Sequence, residues 1–560
     1  MLPAGHFPAP FLTRAATEPD RVLFRLGSAG RGEALTHGRL AEGARRFAGL
    51  VSGRGVRPGE TVFVALKTSP ELYEAFLGVC LAGAVPALLP PPSPKQDPTL
   101  FWTSHAALFR HVGAPLLVAS AAHRDALHHH LGRDLIAVAV PEEARGGEAG
   151  PDLPPPVRDG DIACLQHSSG TTGLKKGVPL THRMITRQVA SYAAAIGLTA
   201  TDPLVSWLPL YHDMGFVACL LAPLVLGCPV ATLDPFEWLT DPLSLLELAA
   251  ATDARFTWLP NFAFQHLVNA AAADDERRRV DLGRMRAFVN CSEPCKPATT
   301  AAFAARFASW GVRPDQIATC YTMAEATFAI TSSAIGTPPT AVALDRTRLD
   351  RDGCAVPAGD GDDRVELLSC GRPIPGAAVA ILDRDRLESG PLAEGRLGEI
   401  AVAGDSLFAG YHGDEARTRD VLRDGRYLTG DLGLELDGEL FVLGRRDDLV
   451  IVLGRNLFAH EVEALVAEVP GVKPGRAVAF GIENIHTGSQ DLVIVAELDG
   501  SDTDSPAVRG RIRTVVESTV GVVPGRIALV EGGWLIKTTS GKVSRGGNRE
   551  KFVSTLATTA

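Results

Sequence analysis

The feature that most constrains the fold is a regular exchange of helical and strand periodicity between Ala34 and Leu88. A helical pattern puts Leu40, Ala44, Phe47 and Leu50 on one face, a turn follows at Arg57-Pro58-Gly59, and an apolar strand runs from Thr61 to Ala65. A second helical pattern, Pro70 to Ala82, leads into another short apolar run. Helices alternating with strands act as crossover connections, so the spacing predicts an α/β fold on a mainly parallel sheet. At 560 residues the chain is several times the usual domain size, which predicts a large core and at least two domains.

The apolar run Ile162 to Leu165 is followed by Ser168-Ser169-Gly170-Thr171-Thr172-Gly173-Leu174-Lys175-Lys176-Gly177, with four hydroxyls, three glycines and two lysines in ten residues. Glycines let backbone N–H groups approach an anion, hydroxyls add donors, and lysine supplies a charge that pairs with phosphate. The loop is not of the Walker kind: Gly170 and Gly173 are too close, and Val178 follows Gly177. Taken alone, such composition reads more readily as a solvated turn.

A formal net charge of -10 argues against general nucleic-acid binding, so a phosphate site here must be local. The nine cysteines form no CxxC pair, which suggests reduced thiols and a cytoplasmic location. Met1 to Arg25 lacks the apolar stretch of a signal peptide. The greasiest run, Phe216 to Leu233, is broken by Pro223, Gly227 and Pro229, which predicts a buried helix followed by a strand and no membrane span.

His128-His129-His130, with His123 nearby, read as decoration of an exposed helix, since no spaced carboxylates or cysteines accompany them. Gly146 to Gly160, with prolines at 154 to 156, reads as a connection, and Arg183 to Ile196 as a helix. In Gly336 to Val365, prolines, glycines and the acidic stretch Asp360 to Asp363 interrupt any core pattern, predicting a surface insertion. From Glu366 onward, runs such as Ala378 to Ile381 and Glu399 to Val402 predict β-structure ending in a hairpin at Leu436-Asp437-Gly438-Glu439. The charged turn Gly444-Arg445-Arg446-Asp447-Asp448 then separates off a region of one small domain's length.

Six further stretches carry polar chemistry: Trp207-Leu208-Pro209-Leu210-Tyr211-His212-Asp213-Met214-Gly215, Asn290-Cys291-Ser292-Glu293-Pro294, Tyr321-Thr322-Met323-Ala324-Glu325-Ala326-Thr327, Tyr427-Leu428-Thr429-Gly430-Asp431, Gly444-Arg445-Arg446-Asp447-Asp448-Leu449 and Lys537-Thr538-Thr539-Ser540-Gly541-Lys542. In this order and at these spacings, after the loop at 168 to 177, they resemble the adenylate-forming (acyl-activating) superfamily. The chain is most similar to its fatty acyl-AMP ligases, through Glu325-Ala326-Thr327, the insertion before Ser369, and Gly454-Arg455-Asn456. Cys291 stands where that family has glycine, Thr322 and Met323 replace Gly-Leu, and Ile536 replaces proline.

The resemblance implies an N-terminal adenylation domain over residues 1–445, made of α/β subdomains plus a β-rich subdomain, and a small mobile α+β C-terminal domain over 446–560. It implies ATP and Mg²⁺. Ser168, Ser169, Gly170, Thr171, Thr172, Gly173 and Lys176 would cradle phosphates, Ser292, Glu293 and Pro294 would lie along the adenine with Thr322 and Met323, and Tyr321 would stack on it. Glu325 would hold the metal, Asp431 the ribose, Arg445 the nucleotide, and Asp447 the hinge. His212 would face a substrate carboxylate, Gly215 the mouth of the acyl tunnel, and Lys542 would be the catalytic lysine. The implied reaction is activation of a carboxylic (fatty) acid to acyl-AMP with pyrophosphate release, then transfer to the phosphopantetheine of an acyl carrier protein, as in lipid or polyketide biosynthesis. An acyl-CoA ligase is the alternative, and a nucleotide-binding regulator without catalysis a third reading. Phe216-Val217-Ala218-Cys219 would narrow the tunnel, and Arg509, Arg511, Arg513, Arg545, Arg549 and Lys551 offer a basic island for carrier docking.

Overall fold

The computed structural model describes the chain apart from residues 1–5, 28–31, 93–97, 152–153, 168–175, 274–279, 362, 453–454, 485–486, 488, 501–504, 538–542 and 556–560. The alternation after Ala34 becomes the helix His37–Gly53, the strand Thr61–Ala65 and the helix Pro70–Leu81. The two helices pack closely at Gly78, where a Cβ would lie 2.4 Å from that of Phe47 and 2.7 Å from the Ala44 carbonyl oxygen. Glycine is what permits that approach. The strand Thr61–Ala65 pairs in parallel with Val85–Leu88 and Leu116–Ala119, and Ala137–Ala139 completes a four-stranded sheet.

The larger sheet has nine strands. Its inner strands, Val22–Leu26, Val230–Thr232, Leu204–Ser206, Phe256–Leu259, Ala287–Cys291 and Ile317–Thr322, are parallel neighbours in that order. Antiparallel strands close its two sides, Glu33–Thr36 on one and Ala329–Ser332 with Arg372–Pro373 on the other. Phe256–Leu259 and Ala287–Cys291 are buried at every residue, as expected of parallel strands covered on both faces. The run from Phe216 is indeed a buried helix and then a strand. Its first turns, Met214–Leu221, are wound as a π-helix, with the Ala222 N–H bonded to the Val217 carbonyl five residues back.

The β-rich part comprises Ala377–Leu382, Gly398–Gly404, Leu422–Arg423, Arg426–Leu436 and Glu439–Arg445. Its last hairpin turns through Asp437 (φ 50°) and Gly438 (φ 73°), the two left-handed residues that an Asp-Gly connection supplies. Residues 336–365 differ from expectation. They form the strand Ala341–Asp345, the helix Arg346–Asp352 and the start of the strand Arg364–Leu368, and Leu344, Leu349 and Val365 are buried against Leu434, Phe441 and Phe458. The segment carries core positions that its prolines and acids obscure. His123 also differs: it is buried beside Trp102, while His129 and His130 are exposed.

From Val450 the chain builds cores of its own around the strands Val472–Asn484, Ser489–Leu498 and Arg526–Val530. Ala477 and Ala479 face the helices Ala459–Ala467 and Ser505–Val520, while Val478 and Phe480 face Phe552 on the helix Arg545–Thr555. The period of two sends successive side chains to opposite faces, so one short sheet can seat helices on both sides. Among the described residues no helix is long and apolar enough to cross a membrane.

Candidate active site

The strands Ile162–His167 and Gly177–Thr181 form an antiparallel hairpin with His167 opposite Gly177, so the Ser/Gly/Thr loop is the connection of this hairpin. Ser168, Ser169, Gly170, Thr171, Thr172 and Gly173 lie outside the described residues, as does Lys542. Gly454 lies outside them too. Lys176, at the foot of the loop, lines a cleft of about 650 Å³ together with His212, Ser292, Glu325, Asp431 and Arg445. Thr322, Met323 and Asp447 also border it. The sequence-predicted residues therefore converge from strands far apart in the chain.

Asp431 sits in the strand Arg426–Leu436 and is buried. The Tyr321 hydroxyl donates to its Oδ2 at 2.6 Å and Arg445 Nε to its Oδ1 at 3.2 Å. Burial pushes the Asp431 carboxyl above the usual carboxylate range, with Arg445 and Tyr321 opposing the shift. Tyr321 itself is buried and is not among the residues that line the cleft, which it meets through this bond to Asp431. Of the residues expected along the adenine, Ser292 lines the cleft. Glu293 turns instead to accept the Phe262 N–H at 3.0 Å, and Pro294 is exposed. The backbone turns at Ser292, φ 65°, one residue after Cys291. The positive φ that would demand glycine is thus not at Cys291, and the substitution is accommodated. Asn261, which had no signal in the sequence, fixes this loop by accepting from Asn290 Nδ2 at 3.0 Å and from the Lys296 N–H at 3.2 Å.

Glu325 is buried on a short turn, Ala324–Ala326, that ends at Thr327 with φ 68°. A β-branched residue in that region is strained, at about 1–3 kcal/mol. The Thr327 hydroxyl, bonded to the Ser406 carbonyl at 2.9 Å, holds it there. Glu325 Oε1 accepts from the Tyr411 hydroxyl at 2.6 Å and from Tyr427 at 3.1 Å. Burial pulls the Lys176 ammonium below its ordinary value, with Glu325 opposing. An oxygen donor of this kind fits Mg²⁺, which takes one or two carboxylates and completes its shell with water and phosphate oxygens. A closed cage is not needed, and no group of three metal-ligating side chains occurs among the described residues.

His212 follows the strand Leu204–Ser206 and faces the cleft beside Trp207 and Phe262, whose rings lie 6.1 Å apart. Trp207 stacks on Trp238 at 3.7 Å. Gly215 is buried behind this surface, where a Cβ would come within 2.4 Å of the Pro209 carbonyl oxygen. On the far wall Arg545 and Arg549 line the cleft. They follow residues 538–542 closely, and Lys537 pairs with Val543 across that gap. Arg545 is not part of a docking island, because it is bonded to Glu463 at 2.7 Å and to Asp448. Lys551 donates to the Trp534 carbonyl at 2.6 Å, and Arg511 to that of Pro470 at 3.0 Å.

The fold and cleft define a nucleotide-dependent ligase. The model for AMP-binding enzymes matches residues 11–412, and the chain belongs to that family. It is similar to a medium-chain-fatty-acid–[acyl-carrier-protein] ligase, JamA, of Moorena producens, at 30% identity over 71% of this chain and 69% of that one. It is similar also to the long-chain-fatty-acid–AMP ligase FadD26 of Mycobacterium marinum, at 29% identity over 89% and 88% of the two chains. Among solved structures, one from work on fatty acyl-adenylate ligases of E. coli and L. pneumophila superposes with a TM-score of 0.89, at 25% identity over 99% of each chain.

Proposed function

We propose that this ligase activates a carboxylic (fatty) acid as its acyl-adenylate and then passes the acyl group to the phosphopantetheine thiol of an acyl carrier protein. The observation that carries the first step is the meeting of Lys176, Glu325, Asp431, Arg445 and His212 in one cleft. A carboxylate oxygen attacks the α-phosphorus of ATP, the bond to the β-phosphate oxygen breaks, and pyrophosphate leaves with the electron pair. The chain's task is to bring two anions into line and to offset the charge that develops on phosphate. Asp431 receives the ribose hydroxyls and Arg445 the nucleotide, Lys176 and the loop at 168–173 take the leaving phosphates, and His212 faces the acid. Ser292, Thr322 and Met323 flank the base. Glu325 is the residue that would hold Mg²⁺, which when bound offsets charge on the phosphate oxygens.

Lys542 bridges the carboxylate and the α-phosphate in this reading, supported by the position of Arg545 and Arg549 on the cleft wall. We divide the chain at 445/446, with Asp447 as the hinge and 446–560 as the moving domain, since residues from Val450 on have their own cores. In the second step the thiol sulfur attacks the acyl carbon, AMP departs, and the thiol proton goes to water. Acid-dependent exchange of pyrophosphate into ATP, run over a panel of carboxylic acids, tests the first step. Its absence with every acid would end the proposal. Acceptor assays with holo-carrier protein and with free CoA test the second, and turnover with CoA alone would make the chain an acyl-CoA ligase.

A further inference from the structure

A five-residue stretch of the loop that follows the strand Gly398–Gly404 holds both the Glu325 turn and the foot of the Ser/Gly/Thr loop. The Phe408 N–H donates to the Glu325 backbone carbonyl at 2.8 Å, and the His412 N–H donates to the Gly177 carbonyl, at the foot of the Ser/Gly/Thr loop, also at 2.8 Å. Between them stands Tyr411. Its hydroxyl donates to Glu325 Oε1 at 2.6 Å and receives Lys176 Nζ at 3.4 Å, and the same ammonium lies 5.1 Å from its ring centroid. Its backbone is fixed in turn by the Thr418 hydroxyl, which accepts the Tyr411 N–H at 2.9 Å, and its ring rests edge-on against Phe408 at 4.9 Å. Tyr427 adds a second hydroxyl 3.2 Å from the first.

We infer that Tyr411 is a positioning residue for adenylation: it locks the Glu325 carboxylate in one orientation and ties it to Lys176, so that cation and leaving phosphates are met in a fixed mutual arrangement. The inference rests on the proposed function for its chemistry, and the physical grounds are local. A carboxylate whose one oxygen is engaged by two hydroxyls cannot rotate freely, and its other oxygen is left to meet a cation. A lysine over an aromatic face, with its head against the phenol, gives up little conformational freedom when phosphate arrives.

The test is Tyr411→Phe in the full-length protein, which keeps the ring, its contact with Phe408 and the surface under Lys176, and removes only the hydroxyl. We expect the exchange rate at saturating substrates to fall by about ten- to a hundredfold, as befits a lost hydrogen bond to a charged group. The Mg²⁺ concentration for half-maximal rate should rise, with the KM for the acid unchanged. Calorimetric titration of ATP with and without Mg²⁺ supplies a readout apart from turnover: the gain in affinity from Mg²⁺ should shrink in the variant. Tyr427→Phe, losing the longer bond, should show the same pattern more weakly. A merely structural tyrosine would lower the melting temperature and the active fraction while leaving Mg²⁺ half-saturation and the Mg²⁺-dependent gain in ATP affinity at wild-type values, and that result would overturn the inference. If the wild type itself exchanges no pyrophosphate with any acid, the functional proposal fails, and the calorimetric comparison still decides the role of Tyr411.

Discussion

His182 should make the hairpin that carries the Ser/Gly/Thr loop acid-labile, by an amount that follows from one hydrogen bond. It opens the helix His182–Ile196, directly after the strand Gly177–Thr181, and is 4% exposed. The Phe7 N–H donates to its Nδ1 at 3.2 Å, so the folded ring must be a neutral acceptor. The His6 ring stacks on it at 4.7 Å. Burial lowers its pKa from 6.5 to about 4. A base whose folded pKa lies below its unfolded one takes up protons on unfolding between those values, so stability is full above pH 6.5 and is lost as pH falls toward 4. Between pH 7 and pH 5 this amounts to about 2 kcal/mol, or roughly thirtyfold in the opening equilibrium. His182→Asn leaves an oxygen to accept the Phe7 N–H and removes the titration. Amide exchange across 182–196, corrected for the intrinsic pH dependence of exchange, should lose protection between pH 7 and pH 5 in the wild type and roughly thirtyfold less in the variant. Equal losses in the two proteins would refute the reasoning, since both keep His6 and every other titrating group.

Three further outcomes are expected. Lys542→Ala should lower ATP–pyrophosphate exchange by ~10²–10³ while leaving the melting temperature unchanged, and near-normal exchange would remove Lys542 from the mechanism. Octanoate should be preferred to palmitate in the same assay, because Phe216, Val217, Ala218 and Cys219 are all buried and Phe216 is pinned edge-on to Phe76 at 5.7 Å; a clear palmitate preference contradicts this. Arg511 and Arg513 reversed to Glu should slow acyl transfer to holo-carrier protein without affecting pyrophosphate release, with the wild-type transfer weakening as salt rises. Arg513 carries more of that expectation, being exposed on the outer face of Ser505–Val520 whereas Arg511 is engaged with Pro470, and a salt-insensitive transfer would exclude the surface.

The parts of the fold that were legible are those whose cause is local. Thr61–Ala65 and Pro70–Leu81 could be placed almost to the residue because an apolar strand and a helix that is apolar nearly all round each announce themselves within a dozen residues, and Asp437-Gly438 named its own turn. Residues 336–365 were misread because their burial is supplied from elsewhere. Leu344, Leu349 and Val365 are too sparse to make a pattern, and they become core only when Leu434, Phe441 and Phe458 arrive from far downstream. His123 misled in the opposite way, as polar composition suggested exposure where Trp102 covers the ring.

The candidate site divides along the same line. Glu325, Asp431 and Arg445 stand inside compact motifs and could be picked out in the sequence, and they meet in the cleft. What holds them could not be read. Tyr411 is a single tyrosine between a glycine and a histidine, Asn261 follows a proline in an apolar stretch, and neither lies in the same segment as the group it fixes. Their partners are 86 and 29 positions away respectively. A group that touches substrate must carry a particular chemistry and so marks the sequence, whereas a group that aims another needs only to be in the right place, which the fold decides. The strain at Thr327 belongs to the second kind. Nothing about a threonine after Ala326 foretells φ 68°, and it is tolerated because the Ser406 carbonyl, on the same loop that bears Tyr411, fixes the hydroxyl. One loop after the strand Gly398–Gly404 thus constrains the backbone of Glu325 through Phe408, its carboxylate through Tyr411, and the turn behind it through Ser406. The orientation of that carboxylate is therefore set by residues whose role no local pattern could have disclosed.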